Sequence, residues 1–109
     1  MSTPLDRFRE LLSIPTVSYA DESRMDASVF DEFHSALERL YPKTHERLER
    51  DVIARHSLLY RWPGASSEDP LVLMAHMDVV PVVEAEWQHP PFGAEIVGEG
   101  EMEGEGEGE

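Results

Sequence analysis

The stretch Leu71-Val72-Leu73-Met74-Ala75-His76-Met77-Asp78-Val79-Val80-Pro81-Val82 decides how the rest of the chain is read. Its first five residues are continuously apolar. That is the pattern of a strand buried on both faces of a sheet, since a half-exposed strand would alternate. A central β-strand is therefore expected over residues 71–75. A histidine follows at its C-terminal end, with an aspartate two residues later. Open α/β sheets bind ligands in the crevice beyond the carboxyl ends of their strands, so His76 is expected to face such a crevice. A metal-ligating imidazole usually donates its other ring N–H to a carboxylate or carbonyl, and Asp78 is near enough to accept it. On its own a His-x-Asp pair is a weak signal, and Asp78 reads equally as a turn cap.

Upstream, Thr3-Pro4-Leu5-Asp6 predicts a helix start, with Thr3 as cap, Pro4 at the first helical position and Asp6 at capping-box spacing. Leu5, Phe8, Leu11 and Leu12 then share a face at helical period. The Ile14-Pro15 step stops that helix, and Thr16-Val17-Ser18 reads as short and extended. Residues 21–26 are polar and loop-like. A second helix is predicted over 27–41, with Phe30, Phe33, Leu37 and Leu40 as its buried stripe and His34 on its solvent side. Pro42 ends it. Residues 44–54 fit a helix or an edge strand equally, 56–62 read as a strand, and 63–70 as a turn. His89 is expected to pack beside Trp87 and Pro90, and 93–97 fit another short strand. His45 and His56 have no carboxylate pattern that singles them out.

The 109 residues carry a net charge of −14, unevenly spread. Residues 1–61 hold all nine Lys and Arg against eleven acids, whereas 62–109 hold twelve acids and no Lys or Arg. A chain so short of clustered cations is expected to have no nucleic-acid partner and no anionic-membrane partner. It has no cysteine, which excludes disulfides, thiolate metal ligands and thiol catalysis. The start of the chain lacks a basic segment followed by an apolar run, and a cytoplasmic location is expected. From Gly98 onward the sequence is Gly and Glu with one Met. Such a tail buries too little apolar surface to offset ordering, so disorder is expected for 98–109.

The run Leu71 to Val82, followed by Trp87-Gln88-His89-Pro90-Pro91-Phe92, resembles the first metal-site motif of the zinc metallopeptidase family. That family includes aminoacylase, carboxypeptidase S, acetylornithine deacetylase and succinyl-diaminopimelate desuccinylase. Ile14-Pro15-Thr16-Val17-Ser18 is similar to the family's entry after its first helix. Ser57-Leu58-Leu59-Tyr60-Arg61-Trp62-Pro63-Gly64 is similar to the strand and turn before the motif. The likeness covers roughly residues 5–97 in one register and lies closest to the carboxypeptidase S branch. It implies an α/β fold, here part of a three-layer catalytic domain with two helices packed on a mixed sheet over 1–97. It also implies hydrolysis of amide bonds in N-acyl amino acids or short peptides, with two zinc ions activating a water. His76 matches a histidine that binds one zinc, and Asp78 matches the aspartate that orients it.

Other positions depart from the family. Where it has Gly-Arg-Gly followed by a metal-bridging aspartate, this chain has Gly104-Glu105-Gly106-Glu107-Gly108-Glu109, and no metal role is assigned to Glu109. The resemblance implies that the general-base glutamate, the remaining ligands and a lid domain lie beyond residue 109. The expectation is an N-terminal fragment that is inactive alone, with little capacity to bind zinc alone and a tendency to self-associate. A reading from another class is a small acidic module that docks a basic protein. The tail itself reads as a solvated end, a weak binder of hard cations, or an interaction tail.

Overall fold

Thr3 opens the first helix as its sequence predicts. In the computed structural model, which describes residues 2–98, α1 spans Pro4–Leu12. The Asp6 amide donates to the Thr3 hydroxyl and the Thr3 amide donates to the Asp6 carboxylate, both at 3.1 Å. These two bonds satisfy amides that a helix start otherwise leaves open. Helix α2, Ala27–Leu40, is capped by Asp26, whose carboxylate accepts from the Ser28 amide at 2.9 Å and the Ser28 hydroxyl at 2.6 Å. Pro42 both ends α2 and takes the first turn of α3, Pro42–Arg47, where its missing N–H costs nothing.

The Asp26 cap carries a pH signature. The Ser28 hydroxyl, then the Ser28 amide, hold the Asp26 carboxyl below the usual aspartate range. A group lowered in the folded state stabilises the fold above its unfolded value, and that contribution is lost as pH falls through the folded value. Ser28→Ala is expected to move the Asp26 titration part of the way back towards the ordinary range, as read by carboxyl carbon NMR. An unmoved titration would show that the serine hydroxyl does not set it.

The ambiguous segment 44–54 divides at Leu48. Its first part is helical and its second is strand β1, Glu49–Ile53, which pairs antiparallel with β2, Ser57–Arg61. The register sets Glu49 opposite Arg61 and Arg50 opposite Tyr60. The Arg61 guanidinium lies 3.0 Å from the Glu49 carboxylate, an exposed cross-strand pair of small worth. On the other face, Arg50 pairs with Glu38 of α2. Tyr60 reaches α3: His45 Nδ1 donates to the Tyr41 carbonyl at 2.8 Å, so Nε2 accepts from the Tyr60 hydroxyl at 2.7 Å. The turn between the strands places Ala54 and Arg55 at φ 52° and 78°, a region that favours glycine or asparagine. Helix α1 lies on α2 through Glu10 with Arg39 and through the Arg7 guanidinium over the Tyr41 ring. Arg9 ties α1 to the far end of the described chain, its Nε donating to the Ala94 carbonyl at 2.7 Å.

The α/β class holds, with three α-helices and a two-stranded sheet among the described residues. The structure departs from the sequence reading in several places. Residues 71–75 are not a buried central strand: they have no ladder partner among the described residues, and Leu73 and Met74 are 87% and 90% exposed. A doubly buried strand needs a neighbour on each side to take its amides and carbonyls. Here β1 and β2 pair only with each other. The apolar face of α1 is likewise open, with Leu5, Phe8 and Leu12 all about half exposed. His34 is buried rather than solvated, 7% exposed, with Nε2 donating to the His56 carbonyl at 2.8 Å. Residues 93–97 are irregular rather than a strand. The expected disorder of the tail falls from residue 99 onward, outside the described residues. Among the described residues, the buried apolar ones are Ile14, Phe30 and Ala36.

Candidate functional site

His76 and Asp78 sit on an irregular segment held from one side by residues 16–18. Backbone bonds join the two segments in parallel: the Val79 amide donates to the Thr16 carbonyl and the Ser18 amide to the Val79 carbonyl, each at 2.9 Å. The Thr16 hydroxyl adds a bond to the Met77 carbonyl at 2.7 Å. Thr16 is 2% exposed beside buried Ile14. Two stretches far apart in sequence, both matched to one family motif set, thus meet in space.

The pair itself has the geometry its spacing suggests. His76 Nδ1 lies 2.8 Å from the Asp78 carbonyl and 3.1 Å from its carboxylate Oδ1. Both are acceptors, so Nδ1 carries the hydrogen and Nε2 keeps the lone pair. The His76 side chain is 83% exposed, which leaves that lone pair free to meet a ligand. The Ser18 hydroxyl, and after it the His76 ring, hold the Asp78 carboxyl below the usual aspartate range. An ionised Asp78 favours a ring whose Nδ1 donates, the state a metal ligand requires.

A cavity of about 630 Å³ opens beside the pair, between the start of α2 and the β1–β2 turn, lined by Glu22, Phe30, Arg55 and His56 as well as His76 and Asp78. The His56 ring stacks on Phe30, centroids 4.6 Å apart, and its Nδ1 is buried with no hydrogen-bond partner among the described residues. His89 Nδ1 lies 3.4 Å from the Glu95 carboxylate, a partner that its sequence neighbours did not suggest. Thr16, Ser18 and His56 were not legible as site residues. For the first two a signal exists: a Thr-x-Ser alternation directly after Ile14-Pro15 puts two hydroxyls on one side of an extended segment.

Zinc is the metal that the family likeness implies, and a catalytic zinc takes about three protein ligands plus water. Among the described residues no three His, Cys, Asp or Glu side chains converge where a metal could be held. These residues do not fit a complete zinc site. They fit one arm of it, an imidazole fixed through Nδ1.

Comparison with curated proteins bears on the family. Over 88 residues the chain is 44% identical to a probable carboxypeptidase S-like protein of Dictyostelium discoideum, an alignment covering 79% of this chain. The chain belongs to the carboxypeptidase S-like family. Over 97 residues it is 37% identical to an N-fatty-acyl-amino acid synthase/hydrolase of Danio rerio, covering 85% of this chain and 19% of that protein. Over 67 residues it is 40% identical to carboxypeptidase S of Saccharomyces cerevisiae, covering 58% of this chain and 12% of that one. The chain spans only 18% of the Dictyostelium relative. No family model matches the chain, and no solved structure matches it. Membership thus rests on the carboxypeptidase S-like relatives, whose names support a peptidase or amidohydrolase family.

Proposed function

We propose that residues 1–97 are the N-terminal part of a three-layer catalytic domain of a zinc-dependent amidohydrolase, acting on N-acyl amino acids or short peptides. In this reading His76 is a metal ligand and Asp78 is its orienting partner. The observation that carries the reading is the Asp78-held Nδ1 of His76 at the family's motif position. The relatives' names supply the substrate class, a peptide or N-fatty-acyl amino acid. Residues 98–109 form a separate low-complexity tail. The described residues offer one ligand arm, so no hydrolytic step is assigned to this chain, and in this reading it is inactive alone.

The test compares this chain with a longer polypeptide in which it is joined to the rest of a carboxypeptidase S-like sequence. Both are assayed with zinc on an N-acyl amino acid. The longer chain is expected to turn over and the short one not. In the longer chain, Asp78→Asn is expected to cost about 10–100-fold in metal affinity or activity, and His76→Ala more. Full turnover by the His76→Ala protein would remove His76 from the site, and turnover by the short chain would overturn its assigned inactivity.

Charge asymmetry favours a second reading, in which the acidic half docks a basic protein. All of the Lys and Arg lie before residue 62 and twelve acids lie after it. Such docking would weaken steeply with salt. Binding unchanged by deletion of residues 98–109 would locate it away from the tail.

A further inference from the structure

Thr16 occupies an unusual place relative to Asp78. The Met77 carbonyl and the Val79 amide belong to the two peptide planes on either side of Asp78, and both are bonded to Thr16. Its hydroxyl takes the first at 2.7 Å and its main-chain carbonyl takes the second at 2.9 Å. Peptide planes are rigid, so fixing both leaves the Asp78 backbone little freedom. Asp78 in turn offers its carbonyl and its carboxylate to His76 Nδ1. Thr16 is itself well anchored. Its amide donates to the Ile14 carbonyl at 2.8 Å, Ile14 is buried, and Thr16 is 2% exposed. A buried β-branched position needs no hydroxyl for packing, and valine has nearly the same shape. What the hydroxyl supplies is a donor to a carbonyl that would otherwise lose its partner.

We propose that Thr16 is a positioning residue for His76, fixing through Asp78 the direction in which the imidazole presents Nε2. The assignment rests on the reading of His76 as a metal-ligand position. It names a residue outside the His-x-Asp motif and 61 positions from the carbonyl it holds.

The test uses the whole chain and two substitutions. Thr16→Val keeps the shape and removes the donor, whereas Thr16→Ser keeps the donor. In Thr16→Val the Val79 amide is expected to exchange about tenfold faster, with the β1 and β2 amides unchanged. The ring nitrogen shifts of neutral His76 are expected to move from one fixed Nδ1–H tautomer towards a mixture. Thr16→Ser is expected to restore both. Unchanged tautomer and exchange in Thr16→Val would overturn the proposal. So would a uniform loss of protection that Thr16→Ser fails to repair, since that marks a packing role only. Should Thr16→Val not fold, the unmodified chain decides. A slowly exchanging Thr16 hydroxyl proton with a cross-peak to Met77 supports the proposal, and exchange as free as at exposed Ser66 refutes it. No hydrolysis enters these readouts, so their failure leaves the His76 reading standing. A failed His76→Ala activity test would in turn leave the hydrogen bonds of Thr16 unaltered.

Discussion

Phe30→Ala is expected to abolish cooperative unfolding of this chain. Phe30 is 2% exposed, the largest fully buried side chain, and its ring stacks on His56. It joins the start of α2 to the β1–β2 turn, so its removal separates the helical and hairpin halves. Truncating a buried phenylalanine to alanine typically costs about 3–5 kcal/mol. Small domains have total stabilities of about 5–15 kcal/mol. With only Ile14, Phe30 and Ala36 as buried apolar residues among the described residues, the fold sits at the low end of that range. The measurement is a thermal melt by circular dichroism with amide proton dispersion at low temperature. A Phe30→Ala protein that melts as sharply as its parent would show that the fold is held elsewhere.

The second large effect concerns association. The run Leu71-Val72-Leu73-Met74 lies open to solvent without strand partners among the described residues. Unpaired apolar backbone of this kind invites pairing with another chain. We propose that this run drives self-association. Burying one such side chain contributes about 1.5–3 kcal/mol, and in a symmetric pair each substitution acts twice. Leu71→Lys with Leu73→Lys is therefore expected to weaken association by more than about a hundredfold. Light scattering at a concentration where the parent is oligomeric should then report a monomer. A parent that is already monomeric would refute the proposal, as would a double variant that associates equally well.

What the sequence revealed and what it concealed divide along a physical line. Thr3, Pro4 and Asp6 announced α1 because a capping box is built from neighbours in sequence, and Pro42 ended α2 for a reason as local. The pairing of His76 with Asp78 was legible because only Met77 stands between them. Features set by distant segments were not. The run 71–75 reads as a doubly buried strand, but burial belongs to what lies beside a strand, and among the described residues nothing does. His34 was assigned to solvent by the stripe of Phe33, Leu37 and Leu40. It lies one turn from Phe30 on the same face, and the His56 carbonyl gives its ring a buried partner. Residues 44–54 were ambiguous because two elements meet there and neither period persists. Thr16 and Ser18 could be quoted as part of a likeness, and their alternation sets two hydroxyls on one side, but what those hydroxyls meet lies some sixty residues away.

The reach of the Thr16 contact also orders events in time. The helix α2, the helix α3 and the β1–β2 hairpin close over short separations, and such contacts form early because little loop entropy is lost. The bond from Thr16 to Met77 spans 61 residues, and that from Arg9 to Ala94 spans 85. On a chain emerging from the ribosome, residues 16–18 are made first and wait some sixty residues for the segment bearing His76 to reach them. The His76 imidazole is thus among the last groups to find its orientation, after the helices and the hairpin have already closed.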